Sequence, residues 1–443
     1  MYSRAEVPFP AAAAAAESEP CPSSPRSLIA TPAPRRTMNT FPQRFAIALG
    51  LILALSGAAA PPAGAFATGR YPNLFRDLLG RTDAEVAAKI QAGWQQLFYG
   101  RDDDQRVYYP AGPDQAYIAD VGSGEVRSEG MSYGMMIAVQ LDRRAEFDRL
   151  WKWVRTHMHH ATGPRQGYFA WQCAFDGRQL DPGSASDGEE WFAMALFFAS
   201  HRWDAAGTAG YGADAQALLR AMLLGGDRRG GNITSLFDRT RKQVVFAPTG
   251  EASVFTDPSY HLPAFYELWA RWAQEDRPFW SGAAATSREF LRRAADARTG
   301  LMPDFSDFDG TPRRSGGRED FRFDAWRTLG NVGLDYAWFA ADPWQVEQSN
   351  RVLSFLAAQG PAYANQFALD GRPLSSDHSP GLAAMAAVAG LAADSKLARP
   401  FVQELWDAPV PTGKWRYYDG LLYFMALLEV SGRFQIYGPP APP

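Results

Sequence analysis

Val126-Arg127-Ser128-Glu129-Gly130-Met131-Ser132-Tyr133-Gly134-Met135-Met136 opens a helix with almost no polar face. Met131, Met135, Met136, Ile137, Val139 and Leu141 crowd its sides. A helix that is apolar nearly all round must be covered by other elements on both flanks. One carboxylate, Glu129, stands in its first turn. A buried carboxylate is costly unless it is paired, hydrogen-bonded or neutralised. Two readings compete: an acid favoured by the helix dipole at a helix start, or a Glu kept protonated by an apolar setting, as a general acid requires.

The same pattern recurs along the chain. Thr82-Asp83-Ala84-Glu85 is a capping box followed by Val86, Ile90, Trp94 and Leu97 at helical spacing. Ser186-Asp187-Gly188-Glu189 reads as a second one, opening an apolar run from Trp191 to Phe198. Asp257-Pro258, Asp342-Pro343 and Ser379-Pro380 each set an N-cap residue before a proline at the first helical position. Further helices are expected at roughly 211–223, 284–296, 322–340, 379–394 and 417–431, with short strands near Val107-Tyr109, Tyr117-Ile118 and Val244-Phe246 in the connections. Ten to twelve helices, about half of them apolar all round, predict an inner shell covered by amphipathic outer helices. The fold expected is all-α, a toroid of inner and outer helices with the site at a polar end.

The first 70 residues read differently. Residues 1–37 are rich in Ala, Pro and Ser and lack periodicity, the pattern of a disordered or wrongly started extension. From Met38, Arg44 supplies a positive region and Phe45 to Leu55 an apolar one. Small residues follow, with cleavage expected after Ala63-Gly64-Ala65 or Ala65-Phe66-Ala67. The segment 38–67 is therefore expected to be a signal peptide, and the product secreted or periplasmic, with no membrane attachment afterwards. A single catalytic domain is expected over 71–437.

Formal net charge is −4 with no basic stripe, which argues against nucleic acid as a partner. Cys21 and Cys173 are the two cysteines, and with Cys21 in the leader no internal disulfide can form. Aromatic content is 13%, with 14 Trp; most rings fill the core, but Trp and Tyr in such numbers also suit stacking on sugar rings. No nucleophile elbow, phosphate loop or dinucleotide fingerprint occurs. His157, His159 and His160 cluster without a metal-binding arrangement, and read as polar residues near a helix end. No metal and no organic cofactor is implied. What remains is carboxylates among aromatics: Glu129, Asp187 and Asp324 each open or interrupt an apolar helix, the equipment of glycoside hydrolysis.

Six segments carry a specific resemblance: 127–134 around Glu129, Gly167-Tyr168-Phe169-Ala170-Trp171, Ser186-Asp187-Gly188-Glu189-Glu190, Phe255-Thr256-Asp257-Pro258-Ser259-Tyr260-His261, Phe323-Asp324-Ala325-Trp326-Arg327 and Arg416-Tyr417-Tyr418-Asp419-Gly420. In this order they resemble glycoside hydrolase family 8, the inverting (α/α)6-barrel enzymes, and within it the reducing-end xylose-releasing exo-oligoxylanases. The resemblance implies Glu129 as general acid and Asp324 as general base. It also implies Asp187 holding the distorted sugar, Trp171 stacking on it, and Tyr260 and Arg327 near the water and base. Leu374-Ser375-Ser376-Asp377-His378-Ser379 resembles the loop that closes the cleft beyond the leaving xylose, which implies that His378 bonds the reducing-end hydroxyl. Phe323 departs from endo-acting relatives that carry Tyr before the base. The expected partner is a xylo-oligosaccharide bound by a monomer. An endo-acting β-1,4-xylanase or endoglucanase of the same family is the nearest alternative, and a non-catalytic secreted carbohydrate-binding protein the alternative of another class.

Overall fold

The structure is a computed structural model that describes residues 63–204, 207–225 and 232–439. The expected extension 1–37 and nearly all of the expected signal peptide lie outside the described residues.

Twelve helices form two shells. The inner six are α4 (Ser128–Gln140), α6 (Ser186–Trp203), α8 (Pro263–Trp272), α10 (Arg327–Phe339), α12 (Pro380–Ala389) and α14 (Arg416–Val430). Each packs with an outer partner: α5 (Arg144–Trp153), α7 (Tyr211–Leu224), α9 (Arg277–Ala294), α11 (Trp344–Ala358), α13 (Ser395–Asp407) and α3 (Asp83–Tyr99), respectively. Neighbouring inner helices touch around the ring, α6 and α8 through the Trp191–Phe265 ring pair and the Tyr266 hydroxyl donating to Glu190, and α14 closes back on α4. This is the (α/α)6 barrel. The burial pattern explains why the sequence folds so. Every residue of α4 is buried, as is α6 from Ser186 to Ala199, so both must be apolar all round. In α13 only Ala398, Phe401, Val402 and Leu405 are buried, the stripe of a helix covered on one side.

Two short helices precede the barrel, α1 (Ala65–Thr68) and α2 (Leu74–Leu79). Ala65 is buried and the Phe66 ring lies 5.4 Å from Phe339 at the end of α10. The segment Ala65–Thr68 thus packs on the end of α10, and the expected cleavage points fall within or beside it.

A five-stranded antiparallel sheet in the connections has the order β1 (Tyr108–Ala111), β2 (Gln115–Asp120), β3 (Glu125–Arg127), β4 (Gln172–Cys173), β5 (Gln179–Asp181), and a hairpin pairs β6 (Phe237–Asp238) with β7 (Gln243–Val244). The sequence reading missed β3, β4, β5 and β6, each two or three residues long; β3 runs straight into α4. The Thr82 capping box is present as expected. The one at Ser186 is not: α6 starts at Ser186 itself, and the Glu189 carboxylate accepts instead from the Phe169 backbone N–H at 3.1 Å. Asp257-Pro258 caps a single 3-10 turn, Pro258–Tyr260, and α11 starts one residue later than its Asp-Pro signal. The expected 322–340 helix is split into a 3-10 turn, Phe323–Trp326, and α10.

Glu429, in the last turn of α14, is 7% exposed, and its Oε2 has no hydrogen-bond partner. Burial pushes its carboxyl up from an ordinary 4.5 to about 8, and a carboxylate at a helix C-terminus also opposes the dipole. A carboxyl raised in the folded state ionises first in the unfolded chain, so stability falls as pH rises from about 4.5 to about 8 and then levels off. The fall is at most about 1.4 kcal/mol per pH unit. Glu429→Gln is therefore expected to melt at a higher temperature than the wild type at pH 8 and to match it near pH 4. Parallel melting curves across that range would show that Glu429 is not held neutral.

Candidate active site

The starts of the inner helices converge on one guanidinium. Arg327, the first residue of α10, donates from Nη1 to Glu129 Oε2 at 3.0 Å, to Asp187 Oδ2 at 3.0 Å and to the Tyr133 hydroxyl at 2.7 Å. Its Nη2 donates to Ser259 Oγ at 2.9 Å and lies 3.5 Å from Asp324 Oδ1. Glu129 and Asp187 each occupy the first turn of an inner helix, where the dipole favours an anion. Of the two competing readings of Glu129, the structure adds to the helix-start position a charged hydrogen-bonded network in place of an isolated apolar pocket.

Local chain geometry brings each group there. β3 pairs with β4 through Val126–Cys173 and Arg127–Gln172, and the Ser128 N–H extends the ladder by donating to the Trp171 carbonyl at 3.0 Å. This fixes Glu129 and Trp171 side by side, with Arg127 over the Trp171 ring at 5.6 Å. Gly130 allows α14 to approach: a Cβ there would come 2.4 Å from the Tyr417 ring. That closeness lets the Tyr417 hydroxyl donate to Glu129 Oε1 at 3.0 Å. Gly188 does the same for α6 against Ser128, where a Cβ would lie 2.5 Å from Oγ.

Asp324 sits in the turn before α10, directly after Phe323, whose φ of 33° is unusual for a bulky side chain. Such strain persists only when the surroundings over-determine it. Here the Tyr418 hydroxyl donates to the Phe323 carbonyl at 3.0 Å and stands 3.5 Å from Asp324 Oδ1. Tyr418 thus supplies a hydroxyl beside Asp324 where Phe323 cannot. Tyr260 lies under the Arg327 guanidinium, 5.4 Å from ring centroid to Cζ, and is buried.

Burial raises the Asp187 carboxyl above its ordinary range, Arg327 opposes the rise, and the negative charge of Asp324 adds to it. Three carboxylates share a single cation. Of the three, the Asp324 side chain is the most exposed, at 18% against 11% for Glu129 and 6% for Asp187, so it is the one best set to meet water. Glu189 and Glu190 are also buried, and burial pushes both well up. They hold the Phe169 backbone and the Tyr266 hydroxyl, which ties them to structure.

Glu129, Asp187, Asp324, Arg327 and Tyr260 are brought together as expected, with Trp171 just before β4 and beside the start of α4. His378 is not brought into this network. Its Nδ1 faces the Tyr363 carbonyl at 2.8 Å and its Nε2 the Glu404 carboxylate at 2.7 Å. Neither nitrogen is left over for a sugar hydroxyl; the ring anchors its loop to α13, and Glu404 holds it protonated to higher pH than usual. The reading overlooked Glu404 because it lies 26 residues further on. His157 and His160 contact Gln115 and the Pro182 carbonyl, as polar residues near a helix end. Tyr133, Ser259, Tyr417 and Tyr418 were missed as site residues. For Tyr133 the signal was available, since it lies four residues after Glu129 on the same helical face.

The profile of glycosyl hydrolases family 8 matches residues 118–432. The chain is 46% identical to the reducing-end xylose-releasing exo-oligoxylanase Rex8A of Paenibacillus barcinonensis over 84% of its length and 98% of that protein. The structure of Rex8A complexed with xylose superposes with a TM-score of 0.80, at 45% identity, covering 84% of this chain and 99% of the other. A reducing end xylose-releasing exo-oligoxylanase of Halalkalibacterium halodurans is 43% identical over 85% of this chain and 97% of its own. A xylanase from Teredinibacter turnerae, solved as a catalytic mutant with xylohexaose, gives a TM-score of 0.82 at 42% identity, covering 85% and 100%. A matched profile over most of the barrel, relatives aligned end to end and a ring of carboxylates at the inner-helix starts lead to one conclusion: this chain belongs to glycosyl hydrolases family 8.

Proposed function

We propose that this enzyme hydrolyses β-1,4-xylo-oligosaccharides with inversion and releases xylose from their reducing end. The observation that carries the reading is the attachment of Glu129 and Asp324 to the two ends of one guanidinium, at 3.0 and 3.5 Å. That keeps the two oxygens below the upper limit of the roughly 6.5–9.5 Å spacing that inverting enzymes use to admit a water. Glu129 gives its proton to the glycosidic oxygen as the bond to the anomeric carbon breaks. A water attacks that carbon from the opposite face and yields its proton to Asp324. Three carboxylates around one arginine favour retention of one proton among them, which the scheme assigns to Glu129. Asp187 would hold the distorted sugar, Trp171 would stack on it, and Tyr260 with Arg327 would flank the water.

The exo reading is supported by the names of the two curated relatives and by the loop 374–379. That loop is tied down at both ends of the His378 ring, and a rigid barrier beyond the leaving sugar needs such anchoring. Export is proposed on the positive, apolar and small-residue order of 38–67. Among the described residues, no helix is long and apolar enough to cross a membrane.

Glu129→Gln and Asp324→Asn are each expected to lower turnover of xylotriose by about 10²–10⁴-fold while the circular dichroism spectrum is kept. Near wild-type turnover in either variant removes that residue from the mechanism. Tyr417→Phe deletes a hydrogen bond to Glu129 that strengthens as the proton leaves and the carboxylate becomes charged, a contribution of about 1.5–3 kcal/mol at that stage. It is expected to reduce kcat by about ten- to a hundredfold with KM little changed, and an unchanged kcat would make Tyr417 a packing residue only. Reducing-end-labelled xylotetraose should release its label first as free xylose, and NMR of the fresh products should show the α-anomer at the new end. Labelled xylobiose appearing first would make the enzyme endo-acting, and an initial β-anomer would contradict inversion.

A further inference from the structure

Asp257 is fully buried and belongs to the site without having a role in the scheme above. Its Oδ1 accepts from the Ser259 N–H at 2.7 Å, which fixes the turn Pro258–Tyr260, while its Oδ2 has no hydrogen-bond partner. One carboxylate oxygen each from Asp257, Asp304 and Asp324 lie within 4.8 Å of one another. Paired backbone bonds between Thr256 and Ser306 hold the first two together.

The charges around Asp257 come from three directions. On the facing loop, Asp304 is bound to Arg318 at 2.7 Å, so that guanidinium is already committed to another carboxylate. From the turn before α10 comes Asp324, and from α10 itself Arg327, shared with Glu129 and Asp187. On its own turn, burial of His261 pushes the imidazole down to about 3, so it brings no positive charge. Asp257 is thus a fully buried carboxyl beside two others, with no cation of its own. Two carboxylates forced together divide into one that keeps a proton and one that does not. Of this pair, Asp324 is part-exposed and 3.5 Å from Arg327, whereas Asp257 is fully buried and feels Arg327 less than it feels Asp304 and Asp324. Burial and the charges of Asp304 and Asp324 push the Asp257 carboxyl well up.

We propose that Asp257 is a positioning residue for the general base: it stays a neutral carboxylic acid and keeps the one proton of the Asp257–Asp324 pair, leaving Asp324 ionised to take a proton from water. The inference rests on Asp324 being the base. The proton on Asp257 is not consumed in turnover; the one taken from water leaves Asp324 for solvent.

Infrared difference spectroscopy of the full chain tests this without turnover, so it can fail independently of the base assignment. Subtracting Asp257→Asn from wild type should reveal the carbonyl stretch of a protonated carboxyl that persists at pH 7. In Asp324→Asn the same band should titrate at lower pH, because the repelling neighbour is gone. Asp257→Asn, isosteric and always neutral, should keep kcat within about threefold and leave the acid limb of kcat/KM in place. Asp257→Ala, which empties the site, should lose kcat about tenfold or more with KM little changed. No protonated band at Asp257, or one whose titration ignores Asp324→Asn, would overturn the proposal. So would an acid limb moved down by about one pH unit in Asp257→Asn, since an ionised Asp257 would then have been raising the base. A band that appears only after chelation would make the cluster a cation site instead.

Discussion

The site is organised by one buried cation. The Arg327 side chain is 6% exposed and touches carboxylates or hydroxyls from α4, α6, the turn before α8 and the turn before its own helix. A guanidinium presents a rigid planar fork of donors, so it constrains the positions of its partners as well as attracting them. Removing it would take the shared cation from the buried Glu129 and Asp187, a loss of about 3–5 kcal/mol for breaking a buried pair. The positions of four chain segments at this end of the barrel therefore depend on it, and the close contacts at Gly130 and Gly188 are what allow the segments to come near enough.

The buried acids of this chain differ by their surroundings more than by their burial. Glu189 and Glu190 are enclosed, push up toward neutrality and bond a backbone N–H and a tyrosine hydroxyl. Asp419 is pushed up to about 6 and accepts from the Gly381 N–H and the Ser379 hydroxyl, joining α12 to α14. Glu129, Asp187 and Asp324 instead share Arg327 at the starts of the inner helices. The first group ties α6, α12 and α14 to neighbouring segments; the second gathers around one cation. One residue type serves both ends because the field, not the side chain, sets which proton is held.

The phenylalanine before Asp324 shows how such a site tolerates a missing group. Its φ of 33° places strain next to Asp324, and the Tyr418 hydroxyl braces both the Phe323 carbonyl and Asp324. A hydroxyl arriving from α14 stands beside Asp324 where the residue before it has none.

Much of the fold was legible because it is encoded locally. Most inner helices were recognised since a helix covered on both sides must be apolar all round, though α8 was not, and the Thr82 capping box spans four residues of continuous chain. The acids at inner-helix starts could be read for the same reason. Errors arose where a local cue competed with a distant partner. Ser186 and Glu189 have the spacing of a capping box, but Phe169 claims the carboxylate; His378 sits in the expected loop, but Glu404 claims its ring. Only the tertiary structure could bring Arg327 to Glu129 across 198 residues, to Asp187 across 140, and Tyr417 to Glu129 across 288. Periodicity and capping act over three or four residues, so the sequence alone determined the helices and their buried faces. Which side chains share the charge at the barrel's end was decided by closure of the ring.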